Sequence, residues 1–191
     1  MSTHAARTTV DGEGRPPGRF ARLLLAGLLV AAAATAILTQ AALAGPPAPE
    51  VPPGLGPEAG KVFLIAHGVG VQIYACNGVA WSFVAPRADL FADNGQVVVT
   101  HFGGPSWQAK DGSAVVGTVV AKATPDQTAI PWLLLSAKPA QDSKPGRLAQ
   151  TSFIQRIATK GGVQPPAADC NAATAGTRAE VPYTADYVFW K

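Results

Sequence analysis

Residues 85–117 read APRADLFADNGQVVVTHFGGPSWQAKDGSAVVG, and they decide the fold class. Two turns divide the stretch, Asp93-Asn94-Gly95 and Asp111-Gly112. Asn and Gly adopt the positive φ that tight hairpin turns need. After the first turn, Val97, Val99 and His101 share one face, while Val98, Thr100 and Phe102 share the other. Gly103-Gly104-Pro105 breaks that strand, and Trp107 opens a short one that closes at Asp111-Gly112. The segments DNGQVVVT (93–100) and DGSAVVGT (111–118) echo each other. This is a hairpin unit recurring in a meander, too short to mark a repeat protein.

The flanking sequence carries the same signals. Upstream, residues 62–66 (VFLIA) form an apolar run suited to a buried strand. Beyond His67-Gly68, Val69, Val71, Ile73 and Ala75 alternate with Gly70, Gln72, Tyr74 and Cys76. Asn77-Gly78 predicts a hairpin, and the next strand, 79–84, ends at Pro86 before another extended piece at 87–91. Downstream come a Val-rich strand at 113–122, an apolar segment at 128–137 with Pro131 at its irregular start, and a strand at 148–158. In that last strand Thr151, Phe153, Gln155 and Ile157 alternate. Residues 167–174 suit one helical turn, and an aromatic strand at 181–190 closes the chain. About nine short strands with Gly, Pro and Asn turns predict an all-β domain, a single antiparallel sandwich or barrel, over 61–191. Strand pattern alone does not choose between the two.

The first 44 residues differ from the rest. Arg7, Arg15, Arg19 and Arg22 precede an uncharged run, 23–43, that exits through Ala42-Leu43-Ala44. Basic flank, apolar core and small-residue exit predict a signal peptide over 1–44, cleaved before Gly45. An uncleaved membrane anchor is the alternative, because spanning takes roughly 20 residues. Thr35, Thr39 and Gln40 weaken the run as a permanent span. The expected location is secreted or cell envelope, with no stable membrane span after cleavage. The Pro/Gly-rich stretch 45–60, GPPAPEVPPGLGPEAG, predicts an extended, mobile linker.

Charge excludes one class of partner. The net charge is +3, and the leader's four Arg against Asp11 and Glu13 account for most of it. No basic patch remains to suggest nucleic acid. The two cysteines, Cys76 and Cys170, would meet an oxidising compartment after export, where such a pair is expected to bond. A metal pair or a catalytic thiol is the alternative; neither Cys sits in a CxxC or has a His within a few residues.

Several motifs in combination resemble a known family. They are His67-Gly68-Val69-Gly70-Val71-Gln72-Ile73-Tyr74 with Cys76, Phe83-Val84-Ala85-Pro86-Arg87-Ala88-Asp89-Leu90, and Thr100-His101-Phe102-Gly103-Gly104-Pro105-Ser106-Trp107. Asp111-Gly112-Ser113, Ile130-Pro131-Trp132, Ala168-Asp169-Cys170 and Val181-Pro182-Tyr183 add to them. Together they resemble the family labelled domain of unknown function 3455, seen in exported bacterial and fungal proteins. The resemblance implies export, one domain and a Cys76–Cys170 bond. It implies no activity. A dehydrogenase label borne by some relatives finds no support here. Gly68-Val69-Gly70-Val71-Gln72-Ile73 lacks the third Gly of a dinucleotide turn, and a strand follows where a helix is needed. No cofactor is expected.

The candidate binding residues are His67, His101, Trp107 and Asp111. The two histidines lack metal-ligand spacing, so no metal is assigned. Residues 89–95 fail as a calcium loop because Phe91 stands where an oxygen ligand is required. A Ser–His–Asp set could be drawn from Ser82, Ser106 or Ser113 with His101, but no Gly-x-Ser-x-Gly elbow supports it. Trp81 and Trp132 suit core packing, whereas Trp107 sits in a polar turn region that core packing explains less well. Two readings follow. One is a non-catalytic exported module that binds an unknown ligand or an extracellular surface. The other is a small secreted hydrolase or metal-dependent enzyme with its site near His101.

Overall fold

A computed structural model describes residues 45–191; the signal-peptide reading of 1–44 lies outside the described residues. Eight antiparallel strands follow in chain order: β1 (Val62–Cys76), β2 (Trp81–Phe91), β3 (Val97–Phe102), β4 (Ser106–Ala109), β5 (Ala114–Ala123), β6 (Trp132–Pro139), β7 (Phe153–Gly161) and β8 (Arg178–Trp190). Each pairs with the next, and β8 returns to β1, so the sheet is a closed barrel. The closing seam is long, running from Val62 opposite Trp190 to Ala75 opposite Arg178. Closure removes the two free edges that an open meander would leave to solvent or to another chain.

Alternation sorts the side chains. Leu64, Leu90, Val99, Val115, Ile154 and Phe189 point inward and pack together. An eight-stranded barrel is just wide enough to be filled by side chains or to hold one small ligand. Two glycines make room for rings inside it. A Cβ on Gly68 would stand 2.7 Å from the Tyr187 ring, and one on Gly117 would stand 2.9 Å from the Trp107 indole.

The strands are fewer and longer than expected because two expected breaks do not occur. β1 runs straight through His67-Gly68, and β2 runs straight through Pro86. β3 pairs with β2 only from Ala88 to Phe91, so Pro86 lies where one edge of β2 is free and a missing N–H costs no ladder bond. A register shift between Ile73 and Tyr74 absorbs the residual mismatch with β1. The strand expected from 148 begins only at Phe153, because the Leu148 carbonyl accepts both the backbone N–H and the hydroxyl of Thr151 in a turn. The segment expected from 128 becomes regular only at Trp132.

The 45–60 stretch is not the free spacer that its composition suggests. Leu55 is 1% exposed, and its carbonyl accepts a hydrogen bond from Gln155 Nε2 at 2.7 Å. Val51 packs with Val62, Ile157, Val188 and Trp190 on the outside of β1, β7 and β8. Those outward apolar residues need a cover, and the Pro-rich segment provides it as a strap.

Candidate functional site

The two ends of the barrel differ. At the end that holds the 92–96 turn and the 140–152 loop, Leu148 closes the interior over Leu64, Leu90 and Val99. Toward the other end the filling stops, and a cavity of about 480 Å³ opens. β1 contributes Gln72 and Tyr74 to it, β2 Phe83, β3 His101, β4 Trp107 and β7 Arg156. Leu133 and Leu135 of β6 form an apolar wall, and Val84, Val119 and Pro105 line the approach. Phe83, Val84 and Val119 are exposed, so the rim is apolar.

His101 and Trp107 form the floor. They are opposite each other in the β3–β4 register, and their rings stack at 4.3 Å between centroids, 8° from parallel. Tyr187 meets both rings edge-on. The turn 103–105 brings β4 back directly over β3, which lets the two rings lie face to face. His101 is 3% exposed. Its Nδ1 donates to the Ser106 carbonyl at 2.9 Å; a carbonyl only accepts, so the neutral ring leaves Nε2 as an acceptor. Burial pushes the His101 pKa down to about 4, the Arg156 charge assists, and the bond to Ser106 opposes. The ring is therefore neutral at pH 7.

The hydroxyls of Tyr183 and Tyr187 bond to each other at 2.8 Å, and burial raises the pKa of both. Tyr74 donates to the Gly162 carbonyl at 2.7 Å and so ties the 162–177 loop to β1. Arg156 donates from Nε and Nη2 to the Pro131 carbonyl. Its charge reaches His101, Tyr74, Tyr183 and Tyr187. No Asp or Glu lines the cavity, and no carboxylate pairs with Arg156 among the described residues.

The four residues named from sequence divide into two pairs. His101 and Trp107 come together in the cavity. His67 and Asp111 do not join them. His67 is exposed on β1, where Nδ1 donates to Asp186 at 2.7 Å and Nε2 to Asp93 at 3.1 Å. Those bonds, Asp186 foremost, raise its pKa. Asp111 belongs to the turn at the filled end. The Ser113 hydroxyl and the Arg147 backbone N–H donate to it and pull its pKa down to about 2. Of the tryptophans expected in the core, Trp81 is half-exposed, with Nε1 donating to the Pro166 carbonyl, and Trp132 packs outside the barrel beside the strap.

Sequence reasoning missed Gln72, Tyr74, Arg156 and Tyr187. Gln72 and Tyr74 could have been found, since they share the face of β1 that carries Gly68 and Gly70. Arg156 could not, because it lies in the polar phase of β7, the phase that ordinarily faces solvent. Cys76 and Cys170 are bonded, with a Cα–Cα distance of 5.4 Å. The bond pins the loop between β7 and β8 to the end of β1, at the mouth.

Residues 57–191 match the family described as "Protein of unknown function (DUF3455)". Nothing among the curated proteins or the solved structures matches the chain.

Proposed function

The chain belongs to that family of unknown function, and we propose that it is a non-catalytic module that binds one small, largely apolar molecule inside the barrel. The observation that carries this reading is the half-filled lumen. One end is packed to closure, while the other keeps about 480 Å³ behind an apolar rim. That volume lies in the range of small-molecule sites, and a few convergent polar groups set in an apolar wall are their usual lining. A sequence selected only for stability would carry the packing through to this end as well, because each further apolar side chain buried there would add stability.

The enzyme reading has less support. The lining holds no Ser, Thr, Cys, Asp or Glu, so His101 has no nucleophile or carboxylate partner beside it for hydrolysis. Among the described residues, no three His, Cys, Asp or Glu side chains converge as metal ligands. Export belongs to the same proposal. The leader pattern and the disulfide both support an oxidising compartment. No helix of the described residues is long and apolar enough to cross a membrane.

The test is a titration with a neutral naphthylamine probe, followed through tryptophan quenching. We expect saturable one-to-one binding, and loss of it in Leu133→Trp, which places bulk in the cavity from its wall. Binding that Leu133→Trp leaves unchanged, in a variant that still melts cooperatively, sinks the lumen as the site.

A further inference from the structure

We infer that the molecule held in the lumen is an anion of the carboxylate class, with Arg156 as its counter-ion. This rests on the lumen-binding reading above and adds the charge and chemistry of the ligand.

Two buried side-chain atoms on residues that line the cavity lack a partner, and both are donors; the accepting Nε2 of His101 stands beside them. Trp107 is 1% exposed and lines the cavity, yet its Nε1–H has no partner. Gln72 is 2% exposed and also lines the cavity, and its Nε2 has no partner either. Its amide lies close enough to Tyr183 to favour that hydroxyl's ionised form, without bond-forming geometry. An indole N–H can only donate, so nothing but an acceptor satisfies it. Buried polar groups are nearly always paired in folded proteins, so a ligand that accepts hydrogen bonds suits these two donors.

Arg156 supplies the charge. The Pro131 carbonyl takes Nε and one Nη2 hydrogen, which fixes the guanidinium in place and leaves further N–H groups. Its charge acts on Tyr74, His101, Tyr183 and Tyr187, and no carboxylate pairs with it among the described residues. His101 is neutral at pH 7, and burial holds both tyrosines of β8 protonated. The cavity therefore carries one fixed positive charge and no negative one. A half-buried cation without a counter-ion is costly, and a bound anion with an apolar body relieves it. The apolar walls from Leu133, Leu135, Phe83 and Val119 suit the body. A planar guanidinium suits a carboxylate head.

The experiment compares isosteric pairs on the full, disulfide-intact chain: 2-naphthoate against 2-naphthamide, and octanoate against octanamide, by titration calorimetry at pH 7. Each acid is expected to bind about 10- to 100-fold more tightly than its amide, the range of a charge-assisted hydrogen bond. Arg156→Gln should abolish the preference, and Arg156→Lys, which keeps the charge, should retain part of it. Trp107→Phe, which removes the N–H and keeps a ring, should weaken the acids more than the amides. If acid and amide bind alike, the anion inference is wrong and the lumen-binding reading stands. A preference that survives Arg156→Gln removes Arg156 as counter-ion. Absence of binding by all four probes removes both readings. Should Arg156→Gln not fold, the wild-type acid-to-amide ratio and the Arg156→Lys variant still decide.

Discussion

His101 shows how far one buried side chain can govern the molecule. In the unfolded chain it takes up a proton near its ordinary pKa of 6.5; in the barrel it does so only near 4. Below pH 6.5 the unfolded state binds the proton first, so stability falls as pH drops through that window and is intact above it. The full effect is up to about 3 kcal/mol for a shift of this size. His101→Phe keeps a ring against Trp107 and removes the titration. Its melting temperature should fall less steeply than the wild type's between pH 6.5 and 4; parallel slopes would contradict the burial argument. His67 behaves oppositely. Its raised pKa makes its contacts with Asp93 and Asp186 strongest below pH 6.5, and they fade as pH rises through the raised pKa. Both partners and the ring are exposed, so the effect is at most about 1 kcal/mol. The sequence distinguishes neither histidine from the other. Each stands in a strand beside glycines and valines, and only the register decides which one meets water.

At the scale of elements, β7 is the instructive strand. Phe153, Gln155 and Ile157 share one of its faces. In the barrel that phase faces outward beneath the strap, while Ile154 and Arg156 face the lumen. An outward face can carry Phe153 and Ile157 here because residues 45–60 supply a second apolar layer outside the sheet. Gln155 fits that layer, since its amide donates to the Leu55 carbonyl and accepts from Trp190 Nε1 at 2.8 Å. Truncating the chain before Lys61 should therefore destabilise the barrel by about 2–4 kcal/mol, from the lost burial of Leu55 and an orphaned amide. Denaturant unfolding of the truncated and intact chains measures this, and equal midpoints would show that the strap is a passive spacer. Composition pointed to a mobile segment because proline and glycine lack packing preferences of their own. Leu55 and Val51 were the signals that outweighed it.

For the whole molecule, the disulfide and the closing seam act together. The Cys76–Cys170 bond closes a loop of 94 residues, which the chain-entropy account values at about 4–5 kcal/mol. Replacing both cysteines by serine should lower stability by about 2–5 kcal/mol. It should also weaken ligand binding, because the 162–177 loop that Tyr74 and Cys170 hold stands at the mouth. Unfolding midpoints and probe affinity of the double variant check both effects. A variant that loses stability yet binds unchanged would show that the loop takes no part in the site.

The sequence alone determined the all-β class, the hairpin turns at Asp93-Asn94-Gly95 and Asn77-Gly78, the family resemblance and two residues of the cavity floor. These are local matters: alternation has a period of two residues, and turn chemistry is set within four. Tertiary structure decided that the sheet closes on itself, that eight strands carry it, and which phase of each strand faces the lumen. It also decided that Gln72, Tyr74, Arg156 and Tyr187 meet His101 and Trp107. Those outcomes depend on pairing between residues as distant as Val62 and Trp190, and on an outer strap that covers an apolar outward face of one strand. No local pattern encodes the partner across a seam, because an antiparallel ladder accepts any strand of suitable length, and only the combined burial of all eight selects one register.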